Sequence, residues 1–331
     1  MTKANKFLRS KHFSLLVLLV LELALFWALS RNHSFLKLNN IRNILNSMVI
    51  YTLLAVGGGL VIVAGEIDLS PGYVGTAAGA VMASLLANTG IPWFVVVIIC
   101  LALGGAFGLL NAVLINELKL QSFIATLATG SFIAGGFAYI VVNGKTLEIN
   151  NSALELIGTG KIGGFFPYMV IISLAVIIIY GVILAKTKFG RAVYLCGGNR
   201  EAARLTGISP KAMSYILFAN SGILGALAGI LYDARLKAGN LTGTNHYVFP
   251  AITAAVLGGL SLGGGHGDML GCFLGLLIIS GFNNGLVILG VSPFWQNVAS
   301  GLLLLLALTL DYFTKRRAKG GRARGKTSTV L

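Results

Sequence analysis

Apolar positions along this chain come in long unbroken runs rather than alternating with polar ones. A run of about 17 to 25 such residues crosses a hydrocarbon layer as a helix, and runs of that kind fall near 13–30, 45–64, 71–88, 92–115, 122–142, 167–185, 212–232, 248–263, 268–290 and 294–313. The pattern predicts an all-α polytopic bundle of about ten membrane helices. An eight-span version, with one or two Gly-rich segments dipping in and returning, has the same parity. Either count puts both termini on one side. Lys3, Lys6, Arg9 and Lys11, then Lys119, a basic central loop and the run from Lys315 to Lys326 share that side, against Arg31, Lys37, Arg42, Lys145, Lys161, Arg235 and Lys237 opposite. The positive excess assigns both termini to the cytoplasm.

Composition narrows the class. With 331 residues, 56% hydrophobic and 11% charged, the chain is too apolar for a soluble domain of this size. The 44 glycines suit helices that approach closely. The net charge of +15 lies in short tracts between spans, as orientation in a membrane requires, and nucleic acid is excluded as a partner. Cys100, Cys196 and Cys272 are odd in number and show neither a disulfide framework nor metal-ligand spacing. The amino terminus has the charge of a leader peptide, but its apolar run is long and lacks a small-x-small cleavage site, so it reads as an uncleaved first span. Residues 1–314 form one transmembrane domain, and 315–331 a basic tail expected to be disordered at the membrane surface.

The longest basic interval between spans is Lys186 to Lys211. Within it Gly197-Gly198-Asn199 can break the chain, and Arg200 to Leu205 is a short run of helix formers ended by Thr206 and Gly207. That predicts a stubby cytoplasmic surface helix whose two alanines, Ala202 and Ala203, let a partner approach closely. Two further breaks interrupt the apolar pattern: G-E-I-D-L-S-P-G at 65–72 and G-G-L-S-L-G-G-G-H-G at 258–267. In the first, Ser70-Pro71 is a sound helix start, with Asp68 able to satisfy free backbone N–H groups. The segment near 143–166 is the longest outer loop.

Polar residues inside the spans are mostly neutral: Asn111, Thr126, Thr129, Asn220, Ser221, Asn283, Asn284, Gln296 and Asn297. Neutral amides and hydroxyls serve either hydrogen bonds between helices or transient contact with an uncharged polyhydroxylated solute. With Asp68 and Ser70, the residues Asn111, Thr126, Asn220, Asn283, Asn284 and Gln296 are the candidates for lining a solute pathway. Glu22, in the first span, fits neither role. Residues 320–327, G-G-R-A-R-G-K-T, match a phosphate-binding loop in letters, but no strand precedes and no helix can follow, so the chain binds no nucleotide there. Asp233 and Asp268 imitate the paired acids of an intramembrane aspartyl protease, yet this topology puts them about a membrane thickness apart.

Several of these stretches resemble one family: Q-S-F-I-A-T-L (121–127), F-G-R-A-V-Y-L-C-G-G-N-R-E-A-A-R-L-T-G-I (189–208), A-I-T-A-A-V-L-G-G-L-S-L-G-G-G-H-G (251–267) and G-F-N-N-G-L-V-I-L-G-V-S (281–292), together with 65–72. They are similar to the membrane permease subunits of bacterial ATP-binding-cassette importers of the ribose, xylose and arabinose type. The resemblance implies that Gly198, Asn199, Arg200, Glu201, Ala202, Ala203 and Gly207 form the element that docks into a cleft on a cytoplasmic ATPase. It implies a second permease copy or paralogue, an ATPase subunit that uses ATP and Mg, and a periplasmic or lipid-anchored binding protein that delivers a sugar. The chain itself is then no enzyme, binds no cofactor and sits in the bacterial inner membrane. Position 66 departs from the pattern, with Glu where many relatives have Gly. An ion-coupled secondary carrier or exporter of a small polar solute is the alternative.

Overall fold

The computed structural model describes residues 11–292 and, beyond them, 294–296, 298, 299, 301–303, 305, 306 and 309. The basic tail and Asn297 lie outside the described residues. Twelve helices are named here in chain order: α1 Lys11–Leu29, α2 Leu38–Val63, α3 Pro71–Asn88, α4 Trp93–Asn116, α5 Ser122–Val141, α6 Ser152–Thr159, α7 Tyr168–Lys186, α8 Lys188–Gly198, α9 Arg200–Leu205, α10 Pro210–Leu236, α11 Val248–Leu257 and α12 Met269–Ile288. Seven of them, α1, α2, α4, α5, α7, α10 and α12, are long and apolar enough to cross a membrane. The tenth predicted span, 294–313, falls only partly within the described residues.

Two predicted spans take a different form. α11 covers ten residues, or about 15 Å at the helical rise, half the thickness of a hydrocarbon core. It stops because Gly258-Gly259 follows, and Leu260 N closes back on Ala255 O at 3.0 Å. α3 is full length but starts deep: Pro71 packs on Gly225, about 22 Å into α10. From there α3 and α10 run side by side, with Gly75 on Gly229 and Gly79 on Asp233. A Cβ on Gly229 would stand 1.8 Å from Gly75 O, so the two backbones touch as small-xxx-small stripes allow.

α10 is the mast of the molecule. α2, α3 and α4 surround it, with Gly57 of α2 against Ser221, and Gly104 and Gly108 of α4 against Gly222 and Phe218. Leu53, Leu60, Leu217 and Phe218 are fully buried in this centre. At the periphery α1 and α7 leave Val20, Leu21, Ile178 and Ile179 more than half exposed, which in a membrane protein is the lipid-facing surface. α1 is fastened to α12 at both levels: His12 Nε2 meets Asp268 Oδ1 at 3.0 Å, and Glu22, only 8% exposed, lies against Gly281.

The outer segment read as a loop is folded. Asn151 caps α6 by accepting from Ala153 and Leu154 N–H, and two short antiparallel ladders flank it, Leu147–Glu148 with Ala238–Gly239 and Lys161–Ile162 with Phe166–Pro167. Lys237 pairs with Glu155, so α6 and the C-terminal end of α10 are tied by charge as well.

Candidate functional site

The central basic interval folds as two helices. α8 is amphipathic, with Gly190, Val193 and Cys196 turned inward, and Thr187 caps it by accepting from Gly190 N at 3.1 Å. α9 follows after one residue. Asn199 is the hinge: its Oδ1 accepts from Glu201 N and Ala202 N, both at 3.0 Å, which supplies the N-cap of a six-residue helix. At the other end Gly207 takes φ +81°, so that Gly207 N reaches Arg204 O and Ile208 N reaches Ala203 O. A helix this short has little stability of its own; both ends are therefore held by named bonds.

The two alanines are not equivalent. Ala203 is fully buried beneath the helix, while Arg200, Glu201, Ala202, Arg204 and Leu205 are exposed. Leu205 is 90% exposed, an apolar side chain offered to solvent on a charged element. Burial pushes the neighbouring Cys196 thiol upward, against a smaller opposing effect of Arg200, so this cysteine is an inert core residue.

Both sequence breaks converge under these helices. Gly65 takes φ +83° to close α2, with Gly65 N on Ile62 O and Glu66 N on Val61 O. Gly197 lies against Val63 O, and Gly264 lies against both Gly197 and Gly65. Gly265 N donates to Val63 O at 2.8 Å. Glu66, 7% exposed, accepts from the guanidinium of Arg200. Glu66, which stands out in the sequence against the Gly that the resemblance leads one to expect, is thus the partner of the first residue of α9.

From Glu66 the chain climbs back into the bundle. Ile67 N donates to Ser122 Oγ at 3.2 Å and Leu69 N to Thr126 Oγ1 at 3.1 Å. Asp68 accepts from Ser70 N at 2.9 Å and from its hydroxyl at 2.6 Å. Asn111 Nδ2 donates to Ser70 Oγ at 2.8 Å, and Thr129 Oγ1 donates to Asn111 Oδ1 at 2.6 Å. Four predicted pathway residues, Asp68, Ser70, Asn111 and Thr126, therefore come together. They form a dry network between α3, α4 and α5 with each residue at most 2% exposed. Ser221 of α10 stands beside the Asp68 carboxyl, outside hydrogen-bond geometry.

The profile of a family described as the permease component of the branched-chain amino acid transport system matches residues 40–308. The chain belongs to that family. It is 38% identical to the ribose import permease protein RbsC of Bacillus subtilis (strain 168), over 85% of this chain and 87% of that one. It is 37% identical to RbsC of Escherichia coli (strain K12), over 90% and 92%. It is 31% identical to the xylose transport system permease protein XylH of the same strain, over 90% and 91%. The chain is accordingly a multi-pass membrane permease subunit of the bacterial ABC importer class, a transport component and not an enzyme.

In this permease the remaining candidates stand apart from the dry network. Tyr180 donates to Asn220 Oδ1, and both line a cavity of about 370 Å³ between α2, α7 and α10, with Leu60, Thr187, Phe189 and Ile216. The Asn220 Nδ2 is buried without a partner there. Asn283 donates to Tyr51 OH at 3.2 Å, and Tyr51 opens an aromatic cluster in which Tyr247 lies 5.0 Å from Tyr51 and 5.7 Å from Tyr232. Asn284 accepts from Asn40 at 2.8 Å, and Gln296 donates to Val291 O at 2.7 Å. Asp233 packs on Gly79 and Asp268 on His12, so the two acids of the protease-like pattern share no site. Sequence reasoning missed Ser122, Tyr180, Tyr51 and Asn40. Hydroxyls at 122, 126 and 129 repeat at helical spacing and were a usable signal; the tyrosines read as apolar and were not.

Proposed function

We propose that this permease moves a small neutral carbohydrate, a pentose such as ribose or xylose, with a hexose as the wider possibility. The named relatives support the solute class, and so does a path furnished with amides and tyrosines rather than charges. In this reading α9 docks on an ATPase subunit that uses ATP and Mg, through Gly198 to Ala203 and Gly207, and a second permease copy or paralogue completes the translocation path. A binding protein delivers the sugar to the outer face built by α6 and its ladders. The chain makes ten passes with both termini cytoplasmic: α3 with its extended lead-in counts as one, α11 with its lead-in as another, and 294–313 is the tenth. Residues 1–314 make the permease domain and 315–331 a cytoplasmic tail.

The observation that carries the reading is α9 itself, a six-residue helix capped at both ends that presents a 90% exposed leucine. The test is uptake of labelled ribose and xylose into proteoliposomes holding the permease, the ATPase and the binding protein. Uptake that needs all three and hydrolysable ATP supports it. Uptake by the permease alone that collapses with an uncoupler would instead establish the ion-coupled alternative, which the buried carboxylates of Glu22, Asp68 and Asp233 would serve.

A further inference from the structure

We propose that the Arg200–Glu66 ion pair is the strut through which α9 moves the start of α3, making Glu66 a positioning residue for transport. The inference deepens the reading of α9 as the ATPase-docking helix and rests on it.

Three observations carry it. The pair joins residues 134 positions apart and, among the described residues, is the one ion pair made by α9. Its acidic member is nearly buried, with Oε1 taken by Arg200 and Oε2 without a partner, over a small void walled by Val61, Cys196, Met213, Leu217 and Phe218. Arg200 is half exposed and solvent screens its side of the pair, but the nearly buried carboxylate left without it is costly. That cost holds Glu66 to Arg200.

What Glu66 leads to gives the strut its purpose. Four residues separate it from Pro71, and each step is held: Ile67 by Ser122, Leu69 by Thr126, Ser70 by Asp68 and Asn111. A displacement of Arg200 is passed along a short, hydrogen-bonded segment to the deep end of α3, with little slack to absorb it. The glycine contacts at Gly65, Gly197 and Gly264 hold the backbones together but carry no direction. The ion pair fixes which way Glu66 follows.

The experiment is a double-mutant cycle on the complete reconstituted complex, with Glu66→Gln, Arg200→Gln and both together. Labelled ribose taken up per ATP hydrolysed is the readout, and co-purification with the ATPase is the control for assembly. Glu66→Gln should keep its ATPase and its hydrolysis rate while uptake per ATP falls about five- to tenfold, and Arg200→Gln, which also sits on the docking face, should show the same fall in uptake per ATP when counted over the complexes that co-purify. The double variant should fall no further, because both changes break one link. Uptake per ATP at the wild-type value in the singles, or losses that multiply in the double, overturns the strut. A Leu205→Cys permease tests the underlying reading separately: failure to cross-link to the ATPase would remove the docking role of α9, whereas cross-linking with unchanged singles removes the strut alone.

Discussion

Asn111 donates to the hydroxyl of Ser70 across 2.8 Å, and with that bond the last third of α4 holds the N-cap residue of a helix that starts inside the bundle. Asn111 is fully buried, and its other end accepts from Thr129. Asn111→Leu should lower stability by about 1 kcal/mol, the upper part of the range for hydrogen bonds between membrane helices, and should leave Ser70 and Thr129 to find other partners. Thermal unfolding in detergent reads the loss. An unchanged melting temperature would show that the network is dispensable.

The cap on α9 should govern affinity for the ATPase. Asn199→Ala removes the acceptor for two backbone N–H groups and should cost about 1 kcal/mol, a loss of about fivefold in affinity if the helix must be formed to bind. Asn199→Asp keeps the acceptor and should bind nearly as wild type. Titration of the purified permease with ATPase distinguishes them.

Two glycines should respond in opposite ways to alanine. At Gly229 the added methyl meets the backbone of Gly75, and Gly229→Ala should force α3 and α10 apart, with a sharp fall in folded yield. At Gly198 nothing lies within 4 Å of a Cβ, and Gly198→Ala should fold as wild type. Gel-filtration yield in detergent compares the pair.

The C-terminal end of α4 carries a titratable tie. Glu117 accepts from Tyr215 at 2.7 Å and pairs with Lys211 at 2.7 Å, and those hydrogen bonds, Lys211 first, hold its carboxyl below the ordinary value of 4.5. A depressed folded pKa gives stability that is present above the unfolded value and lost as pH falls through the folded one. The difference in melting temperature between wild type and Glu117→Gln should therefore be constant from neutral pH down to the ordinary carboxylate range and vanish below it. A difference that grows on acidification would contradict the assignment.

Much of this was legible in the chain. The bounds of α9 follow from Asn199 before and Gly207 after a run of helix formers, because caps are local chemistry. The long spans follow from hydropathy for the same reason. The depth of Asp68 does not, since an apolar run says that a segment is in the membrane and not where it turns back. α11 reads as a span only when the apolar residues past its terminating glycines are counted with it. The partnership of Glu66 with Arg200 joins two distant segments, and only the fold brings them together. Asn111, Thr126 and Ser70 were recognisable as buried polar groups; that Asn111 bonds Ser70 while Thr126 holds the backbone of Leu69 depends on how α4 and α5 are placed.

At Gly197 a single methyl would stand 1.9 Å from the carbonyl oxygen of Val63, and neither side of that contact has a flexible end to yield. A randomised library at this codon, selected for growth on the transported sugar, should return one residue only. The junction has room for a hydrogen atom and nothing larger, so α2 and α8 keep this spacing only while position 197 carries no side chain.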